Sequence, residues 1–190
     1  MKILILNGHP YNKSFSDKIA EKYLAGVKRS GHEVKIVNVR DLKFDPNLSA
    51  GYHEISPLED DLREFQEKIL WCEHFVIVTP VWWSGVPAIL KGLIDRVVLP
   101  GFAFKYKKNG GWDKLLSGKS SRVIYTQGGR KLVSYFYLRD CFWKTMKRGF
   151  LSFCGFRPVR RTVFELADKA SLKRRENFLS KIYKIGLKEK

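Results

Sequence analysis

The sequence is poor in cysteine and contains no long apolar run. Its three cysteines (Cys72, Cys141 and Cys154) are odd in number and lack the paired spacing of zinc ligands. We therefore expect neither a disulfide framework nor a metal site, and a reducing cytoplasm is the expected location. No apolar run approaches the roughly 20 residues of a membrane-spanning helix. The run Met1–Leu6 is too short for a signal peptide and ends at a polar Asn-Gly pair, so it predicts a first strand.

Two phosphate-binding motifs of nucleotide-binding folds are also missing. The loop after the first strand, residues 7–17, contains neither G-x-G-x-x-G nor G-x-x-x-x-G-K-[ST]. This absence argues against a dinucleotide-binding Rossmann domain and against a P-loop NTPase.

Acidic residues are scarce in the second half of the chain. Residues 1–100 hold 13 Lys/Arg and 13 Asp/Glu, whereas residues 101–190 hold 23 Lys/Arg and 6 Asp/Glu and so carry the whole net charge of +17. A field this uneven attracts anions to one part of a protein. The candidates are cofactor phosphates, an anionic membrane surface, nucleic acid or an acidic partner. A basic, solvated face with no partner is the simplest alternative.

What is present is the composition of a folded protein. Apolar residues make up 44% of the 190 residues and aromatic residues 14%, and a chain of this length buries enough surface to fold without crosslinks. We find no repeat, no low-complexity segment and no linker, so we expect residues 1–190 to form one domain.

Strand and helix patterns alternate along the chain. Continuous apolar runs at residues 3–6 and 75–78 are typical of strands buried on both faces of a parallel sheet. Three further strands are predicted at residues 34–39, 123–125 and 162–164. Apolar residues at helical spacing predict helices between and after them, at residues 15–27, 62–69, 90–98, 138–153 and 178–185. The alternation predicts an α/β fold with a doubly wound five-stranded parallel sheet and helices on both faces.

Ligands of such sheets bind beyond the carboxyl ends of the strands, so the loops there are the candidate site. In the first loop, His9, Ser14, Ser16 and the free amides of the following helix are suited to hold a phosphate. Alternatively, Ser14 and Asp17 form a helix-capping pair. The two interpretations are compatible.

The second and third loops carry rings and glycines. Trp82 and Trp83 follow the third strand, and two adjacent rings in a loop cannot both enter one core, so at least one is available to a flat ligand or a second subunit. Alternatively, both fill the gap between loop and helix. In the third loop, Gly128 and Gly129 allow close approach of a ligand to the backbone, although glycine pairs are usually plain tight turns.

These loops resemble those of the NAD(P)H:quinone oxidoreductases of flavodoxin-like fold, a group that includes DT-diaphorase, modulators of drug activity and ancillary subunits of potassium efflux systems. The resemblance covers residues 2–166. Its most specific stretch is residues 79–97 (TPVWWSGVPAILKGLIDRV), and it extends to residues 100–106 (PGFAFKY), 126–129 (TQGG) and 153–156 (FCGF). It implies the flavodoxin-like strand order 2-1-3-4-5.

The resemblance also implies a noncovalent flavin, FMN or FAD, with NAD(P)H as co-substrate. By position, the phosphate and ribityl chain are expected against His9, Ser14, Phe15 and Ser16. One edge of the flavin ring is expected against Pro80, Val81, Trp82 and Trp83, and the other against Gln127, Gly128 and Gly129. The catalytic residues are expected to be Trp83, Gly128, Gly129 and Tyr135. The implied activity is ping-pong transfer of two electrons from NAD(P)H through the flavin to a quinone or related electrophile.

Two departures from DT-diaphorase concern the reacting ring. The resemblance places a tyrosine and a histidine after the glycine pair of DT-diaphorase, whereas all four histidines here (His9, His32, His53 and His74) precede the predicted third strand. Tyr135 or Tyr137 is available as a phenol, and Arg130 and Lys131 are candidates to stabilise an anionic reduced flavin instead. Gln127 stands where DT-diaphorase has a threonine.

The resemblance further implies a homodimer with the active site at its interface, and residues 134–143 are aromatic enough for that contact. An alternative function is a flavin-binding accessory subunit that docks on an acidic partner or membrane protein through the basic half. We expect no nucleic-acid binding, since no binding module is recognisable. Accordingly, Arg160-Arg161 and Lys173-Arg174-Arg175 are interpreted as solvated basic runs, His32 as solvated, and His74 as a strand-edge residue without a ligand.

Overall fold

The structure is a computed structural model that describes residues 1–49, 51, 53–54 and 56–189. In this part of the chain, no helix is both long enough and apolar enough to cross a membrane.

The sheet is parallel, as the apolar runs predicted. The described residues form seven strands: β1 (Lys2–Asn7), β2 (Glu33–Asn38), β3 (His74–Pro80), β4 (Phe104–Tyr106), β5 (Trp112–Lys114), β6 (Ser120–Thr126) and β7 (Val159–Phe164). Five of them form one parallel sheet in the order β2-β1-β3-β6-β7. The five-stranded parallel sheet is therefore confirmed.

The numbered order 2-1-3-4-5 requires a correction. Strands β4 and β5 lie between β3 and β6 in the chain and pair antiparallel as a separate two-stranded sheet. Each has only three residues, and Gly110-Gly111 in their connection mark a turn rather than a strand. So short a hairpin leaves no period-two signal, which is why the sequence did not predict it.

The helices are α1 (Phe15–Arg29), α2 (Asp60–Trp71), α3 (Ala88–Val97), α4 (Lys131–Phe136), α5 (Cys141–Lys144), α6 (Ser152–Cys154) and α7 (Leu172–Leu187). A 3-10 turn covers Val39–Asp41, and a π-helix covers Thr145–Leu151. The single helix predicted at residues 138–153 is therefore wrong. Arg139 and Asp140 both have left-handed backbones that separate α4 from α5, and the π-helix then interrupts the α-helical hydrogen bonding.

Two apolar cores lie on opposite faces of the sheet. On one face, Ile3, Ile5 and Val76 pack under α1 and α7; on the other, Leu4 and Phe75 pack under α2, α3 and the π-helix. Successive strand residues point to opposite faces, so a run such as residues 3–6 supplies both cores. The predicted burial of both faces is confirmed by this alternation.

Helices α1 and α7 are in unusually close contact. A Cβ atom on Gly26 would lie 2.3 Å from the Tyr183 carbonyl oxygen, and one on Gly186 would lie 2.5 Å from the Tyr23 carbonyl oxygen. Both obstacles are backbone atoms, so any larger side chain forces the helices apart. This contact carries α7 back across the sheet and brings its end to the strand amino termini.

Candidate active site

Three loops converge at the carboxyl ends of the central strands. The Gly8 amide donates to the Val78 carbonyl at 2.8 Å, which ties the loop after β1 to β3. The Val81 amide donates to the Thr126 carbonyl at 2.8 Å and so joins the loop after β3 to β6. The loops that the sequence grouped by topology are therefore brought together.

The first loop ends in a capping box at the start of α1. The Ser14 hydroxyl accepts from the Asp17 amide at 3.2 Å, while the Asp17 carboxylate accepts from the Ser14 amide at 2.7 Å. The Ser14 hydroxyl also donates to Asp17 at 2.8 Å. The predicted capping pair is confirmed, and it commits the Ser14 side chain to the helix terminus.

Asp17 is also the centre of a polar network that the sequence did not reveal. Its carboxylate accepts from the Asn7 side-chain amide at 2.6 Å and from Arg40 at 2.8 Å. Burial raises the pKa of Asp17, but the hydrogen bonds from Ser14 and Arg40 outweigh it and hold the pKa below its usual range. Arg40 thus neutralises the Asp17 carboxylate at the start of α1. This contact could not be predicted from the sequence, because Arg40 lies beyond the second strand and far from Asp17 in the chain.

The N-terminus of α1 is a ready anion-binding group. The amides of Phe15 and Ser16 lie in the first helical turn, where they have no acceptor within the helix. The Phe15 ring packs against Phe164, with centroids 5.1 Å apart, and so anchors the turn to β7. Ser16 is buried. With Asp17 paired to Arg40, the helix dipole favours an anion at this position.

His9 links the first loop to the second. Its ring lies edge-on to Trp82 with centroids 5.6 Å apart, and its Nδ1 accepts from the Tyr11 amide at 3.0 Å. Burial lowers the pKa of His9 below its usual range, against smaller opposing effects of Tyr11 and Asp17. His9 is therefore a neutral imidazole whose proton is on Nε2.

The second loop is a strained hairpin turn. The Trp82 and Gly85 backbones exchange hydrogen bonds of 3.0 and 2.8 Å, and the two residues between them, Trp83 and Ser84, have φ of 49° and 59°. Positive φ at both central positions defines a type I′ turn, which normally uses Asn and Gly because other residues are strained there. The Trp83 ring is fully exposed. Strain together with an exposed indole is characteristic of functional positions.

The third loop is held open by Gln127. Its side-chain amide donates to the Gly129 carbonyl and to the Ser134 hydroxyl, both at 3.0 Å. A Cβ atom on Gly128 would lie 2.7 Å from the Asp168 carboxylate, so a larger residue there requires the Asp168 side chain to move. Gly129 has open space around it. Gln127 therefore positions the glycine pair and the start of α4 through these contacts.

A fourth loop, residues 165–170 after β7, borders the site and was missed from sequence. Arg174 donates to the carbonyls of Glu165 and Leu166 at 2.6 and 3.3 Å, and Arg175 donates to Ala167 at 2.8 Å. The Ala167 amide in turn donates to the Gln127 carbonyl at 3.0 Å. The interpretation of Arg174 and Arg175 as solvated is wrong. Arginines at the start of a helix are close to the preceding loop, and that proximity was the available signal.

Helix α4 lies beside the third loop and presents aromatic rings to solvent. Tyr135, Phe136 and Tyr137 are all exposed. The Lys131 amide donates to Glu165 at 2.6 Å, which fixes the start of α4 against the fourth loop. Arg130, at the N-cap position, is exposed. Tyr135 is thus on the site's border, one residue after the Ser134 that Gln127 holds.

Three other residues expected to be solvated or inert have defined partners away from this site. The Arg161 side chain donates to Asp140 at 2.6 Å, His32 Nε2 is 2.9 Å from the Glu189 carbonyl oxygen, and Nδ1 of the buried His74 is 2.7 Å from the Ser120 hydroxyl. Sequence spacing could not show these contacts because each partner is more than 20 residues away. His53 is exposed.

The residues at the four loops fit a flavin. Free first-turn amides suit a phosphate, exposed indoles suit a flat ring, and the open space at Gly129 admits a ligand against the backbone. Within the described residues, no group of three or more His, Cys, Asp or Glu side chains is placed to hold a metal ion.

Comparisons with known proteins agree with this geometry. A protein of Haemophilus influenzae named "Uncharacterized NAD(P)H oxidoreductase" is 29% identical over 171 residues, which cover 86% of this chain and 83% of that protein. The FMN-dependent NADH:quinone oxidoreductase of Macrococcus caseolyticus is 28% identical over 149 residues, 67% of this chain and 70% of the relative. The crystal structure of Smu.1420 from Streptococcus mutans superposes with a TM-score of 0.86 at 29% identity and covers 98% of this chain and 99% of its own.

A sequence model of one family, described as flavodoxin-like fold, matches residues 1–184. It spans the parallel sheet and all four loops. The chain therefore belongs to the flavodoxin-like fold family.

Proposed function

We propose that the protein is a flavin-dependent NAD(P)H:quinone oxidoreductase. The observation that carries the proposal is the convergence of the α1 N-terminus, the Trp82-Trp83 turn and the Gly128-Gly129 turn at one edge of the sheet. The names of the Haemophilus and Macrococcus relatives support an oxidoreductase and give no support to an accessory docking subunit. The Macrococcus relative's name favours FMN over FAD.

Each loop has a proposed binding role within a single flavin-binding domain, residues 1–190. The α1 amides hold the flavin phosphate beside His9, Ser14, Phe15 and Ser16, and the capping box keeps those amides in place. The residues proposed against the two edges of the ring are Pro80, Val81, Trp82 and Trp83 on one side, and Gln127, Gly128 and Gly129 on the other.

A bound flavin supplies the two-electron chemistry, accepting a hydride from NAD(P)H and passing the electrons to a quinone. The chain contributes position and charge. Trp83, Gly128, Gly129 and Tyr135 border the reacting face, where the indole stacks planar substrates and the glycines leave room for them. Arg130 and Lys131 supply positive charge beside the glycine pair.

The exposure of the site suits a ping-pong order. Trp83 is fully exposed and Tyr135 is exposed, so a nicotinamide can leave before a quinone takes the same position. Within the described part of one chain, the Trp83 and Tyr135 rings are not covered by other residues. We propose that a second copy supplies this cover, through the exposed rings of Tyr135, Phe136 and Tyr137, and sedimentation of the holoprotein measures this directly.

The proposed location is the cytoplasm. The three cysteines are free thiols, and burial raises the pKa of Cys154 to about 12, so it stays protonated and unreactive. Free thiols of this kind suit a reducing compartment.

The absorbance spectrum of the purified protein tests the proposal. We expect flavin bands, release of FMN on heating, and rapid oxidation of NAD(P)H when a small quinone is added. A protein that takes up neither FMN nor FAD on titration contradicts the proposal. Bound flavin without turnover of NAD(P)H would instead favour the alternative function, a flavin-binding accessory subunit.

The Arg130→Ala variant tests the role of the basic pair. We expect a lower flavin reduction potential and slower hydride transfer, because removing a cation destabilises an anionic reduced ring. Arg148→Ala, an exposed cation on the π-helix, is the matched control and leaves both quantities unchanged. An unchanged potential in Arg130→Ala rules out this role.

A further inference from the structure

A basic cavity lies at the opposite edge of the sheet from the candidate active site, where the strands begin. Its volume is 490 Å³. Five cations and one carboxylate line it, together with Ile185: Arg122, Arg160, Lys181, Lys184, Lys188 and Glu189. Like charges this close repel one another unless an anion lies among them. The oxidoreductase site at the other edge does not use any of these residues.

The Glu189 carboxylate occupies the bottom of this cavity. It accepts from the Tyr23 hydroxyl at 2.9 Å and from Arg122 at 3.1 and 3.3 Å, and its side chain is only 3% exposed. The hydrogen bonds and the charge of Arg122, together with the hydrogen bond from Tyr23, outweigh the effect of burial and hold the pKa of Glu189 below its usual range. The pocket therefore binds an anionic group, and Glu189 is the anion now in it.

Two donors around this carboxylate are left without a hydrogen bond to it. His74 Nε2 and an Arg160 nitrogen both lie 3.6 Å from Glu189 Oε1, which is beyond hydrogen-bond length. His74 is 0% exposed, its Nδ1 is 2.7 Å from the Ser120 hydroxyl, and its Nε2 has no partner in the described part of the chain. Buried polar groups rarely stay unpaired. A planar carboxylate offers two oxygens, whereas a phosphoryl group offers three and is larger.

The three lysines continue the site away from this position. Lys181, Lys184 and Lys188 are three, four and seven residues apart, so they share one face of α7 and its end, spread over about 10 Å. None of them has a carboxylate within 4.0 Å among the described residues, in contrast to Arg122. Their spread suits a second phosphoryl group next to the first.

The Glu189 side chain is placed so that it can move out of the cavity when a ligand binds. Helix α7 ends at Leu187, so Glu189 lies outside the helical hydrogen bonding, and its backbone carbonyl oxygen is 2.9 Å from His32 Nε2. The carboxylate's position is shielded from solvent, so only a terminal phosphoryl group is small enough to take its place. A phosphodiester of nucleic acid, substituted on both sides, is too bulky for a site that leaves Glu189 3% exposed.

We propose that this cavity is a second binding site, for a small molecule that carries at least two phosphoryl groups. Its terminal phosphoryl group replaces the Glu189 carboxylate and bonds Tyr23, Arg122, Arg160 and His74. The lysines of α7 neutralise the next phosphoryl group. Glu189 acts as an internal competitor that keeps the site filled when the ligand is absent.

Calorimetric titration of the FMN-saturated protein with inorganic pyrophosphate tests the proposal, since FMN occupies the other proposed phosphate position. We expect one binding event per chain. Lys181→Ala with Lys184→Ala should weaken it at least about fivefold, the scale of losing two exposed ion pairs. Glu189→Gln should bind more tightly than the parent protein, because the competing charge is removed.

The matched control is Lys105→Ala with Lys108→Ala, which removes the same charge from the remote hairpin β4–β5. We expect it to leave the affinity unchanged. An equal loss in the control and in the α7 variant means diffuse attraction to a basic protein and overturns the proposal. So does a Glu189→Gln variant that binds pyrophosphate no more tightly than the parent.

Discussion

The two edges of the sheet are built on opposite principles. At the carboxyl edge, loops with left-handed backbones expose two indoles, and carboxylates such as Asp17 and Glu165 accept hydrogen bonds that hold the loops. At the amino edge, a buried carboxylate meets arginine, tyrosine and histidine, and the helices above it pack backbone to backbone. The carboxyl edge therefore has open space and strained turns where a ligand can bind. The amino edge combines tightly packed helices with a concentrated positive charge.

The difference follows from strand polarity. Each β-α crossover places a helix N-terminus, with its free amides, at the carboxyl edge. The opposite edge receives the helix C-termini, whose partial negative charge favours cations. The direction of the peptide dipoles therefore favours both arrangements: a phosphate-binding site at the carboxyl edge and a lysine-rich cavity at the amino edge.

The largest expected effect is on the packing that closes the amino edge. Gly186→Val places a Cβ atom 2.5 Å from the Tyr23 carbonyl oxygen, so the free energy of unfolding should fall by about 3 kcal/mol. Urea denaturation measures this. Gly149→Ala is the control, because its Cβ atom meets only Thr145 at 4.0 Å and its cost should be small. Equal stability of Gly186→Val and the parent would show that the helices do not need their close contact.

The next effect is the pH dependence of the amino edge. Burial lowers the pKa of His74 to about 4, so the unfolded state binds the proton more readily. Stability contributed by neutral His74 is present above pH 6.5 and is lost as the pH falls toward 4. We expect unfolding to cost about 2 kcal/mol less at pH 5 than at pH 7. His74→Gln should flatten this part of the stability profile; an identical slope in the variant would exclude His74 as its source.

A smaller effect is expected at the carboxyl edge, where a substitution should lower flavin affinity more than it lowers the stability of the fold. Gln127→Ala removes hydrogen bonds to the Gly129 carbonyl and the Ser134 hydroxyl. We expect flavin affinity to fall about tenfold, the scale of one or two hydrogen bonds. Asn109→Ala, which removes an amide from the β4–β5 turn, is the control for fluorescence titration with FMN. If the two variants bind FMN with similar affinity, Gln127 does not contribute to flavin binding.

The smallest effect concerns the strained turn and has the opposite sign. Ser84 has a φ of 59°, so Ser84→Gly should stabilise the protein by about 0.5 kcal/mol, once the entropy cost of glycine is subtracted. Ser180→Gly, in the regular helix α7, should destabilise it by about 0.5 kcal/mol. Thermal unfolding of both variants measures this contrast. Destabilisation by both would mean that the turn stores no strain.

Local patterns carried much of the fold. The apolar run at residues 3–6 predicts a buried strand because both faces of a parallel strand must be apolar, and the spacing from Phe15 to Val27 predicts α1. The hairpin β4–β5 and the break at Arg139-Asp140 were not predictable in this way. A three-residue strand has no period, and a left-handed backbone at a non-glycine residue is imposed by its surroundings.

The features of the candidate site likewise fall into those that the sequence predicted and those that it did not. The three loops were found because parallel topology brings the carboxyl ends of strands to one edge, and the Ser14–Asp17 pair is visible from its spacing alone. The roles of Arg40, Arg174 and Arg175 were not visible. Each arginine reaches a partner chosen by tertiary packing, and a charged residue has the same sequence signature whether it is solvated or paired.

By itself, the amino-acid sequence determined the parallel sheet, the helices that flank it and the loops that meet at its carboxyl edge, because hydrophobic period, capping and crossover handedness are local or topological rules. Only the tertiary structure decided that α7 returns Glu189 to Tyr23, Arg122 and His74. That arrangement depends on the close contact between α1 and α7, and contacts between residues over 60 positions apart leave no periodic trace in a single sequence.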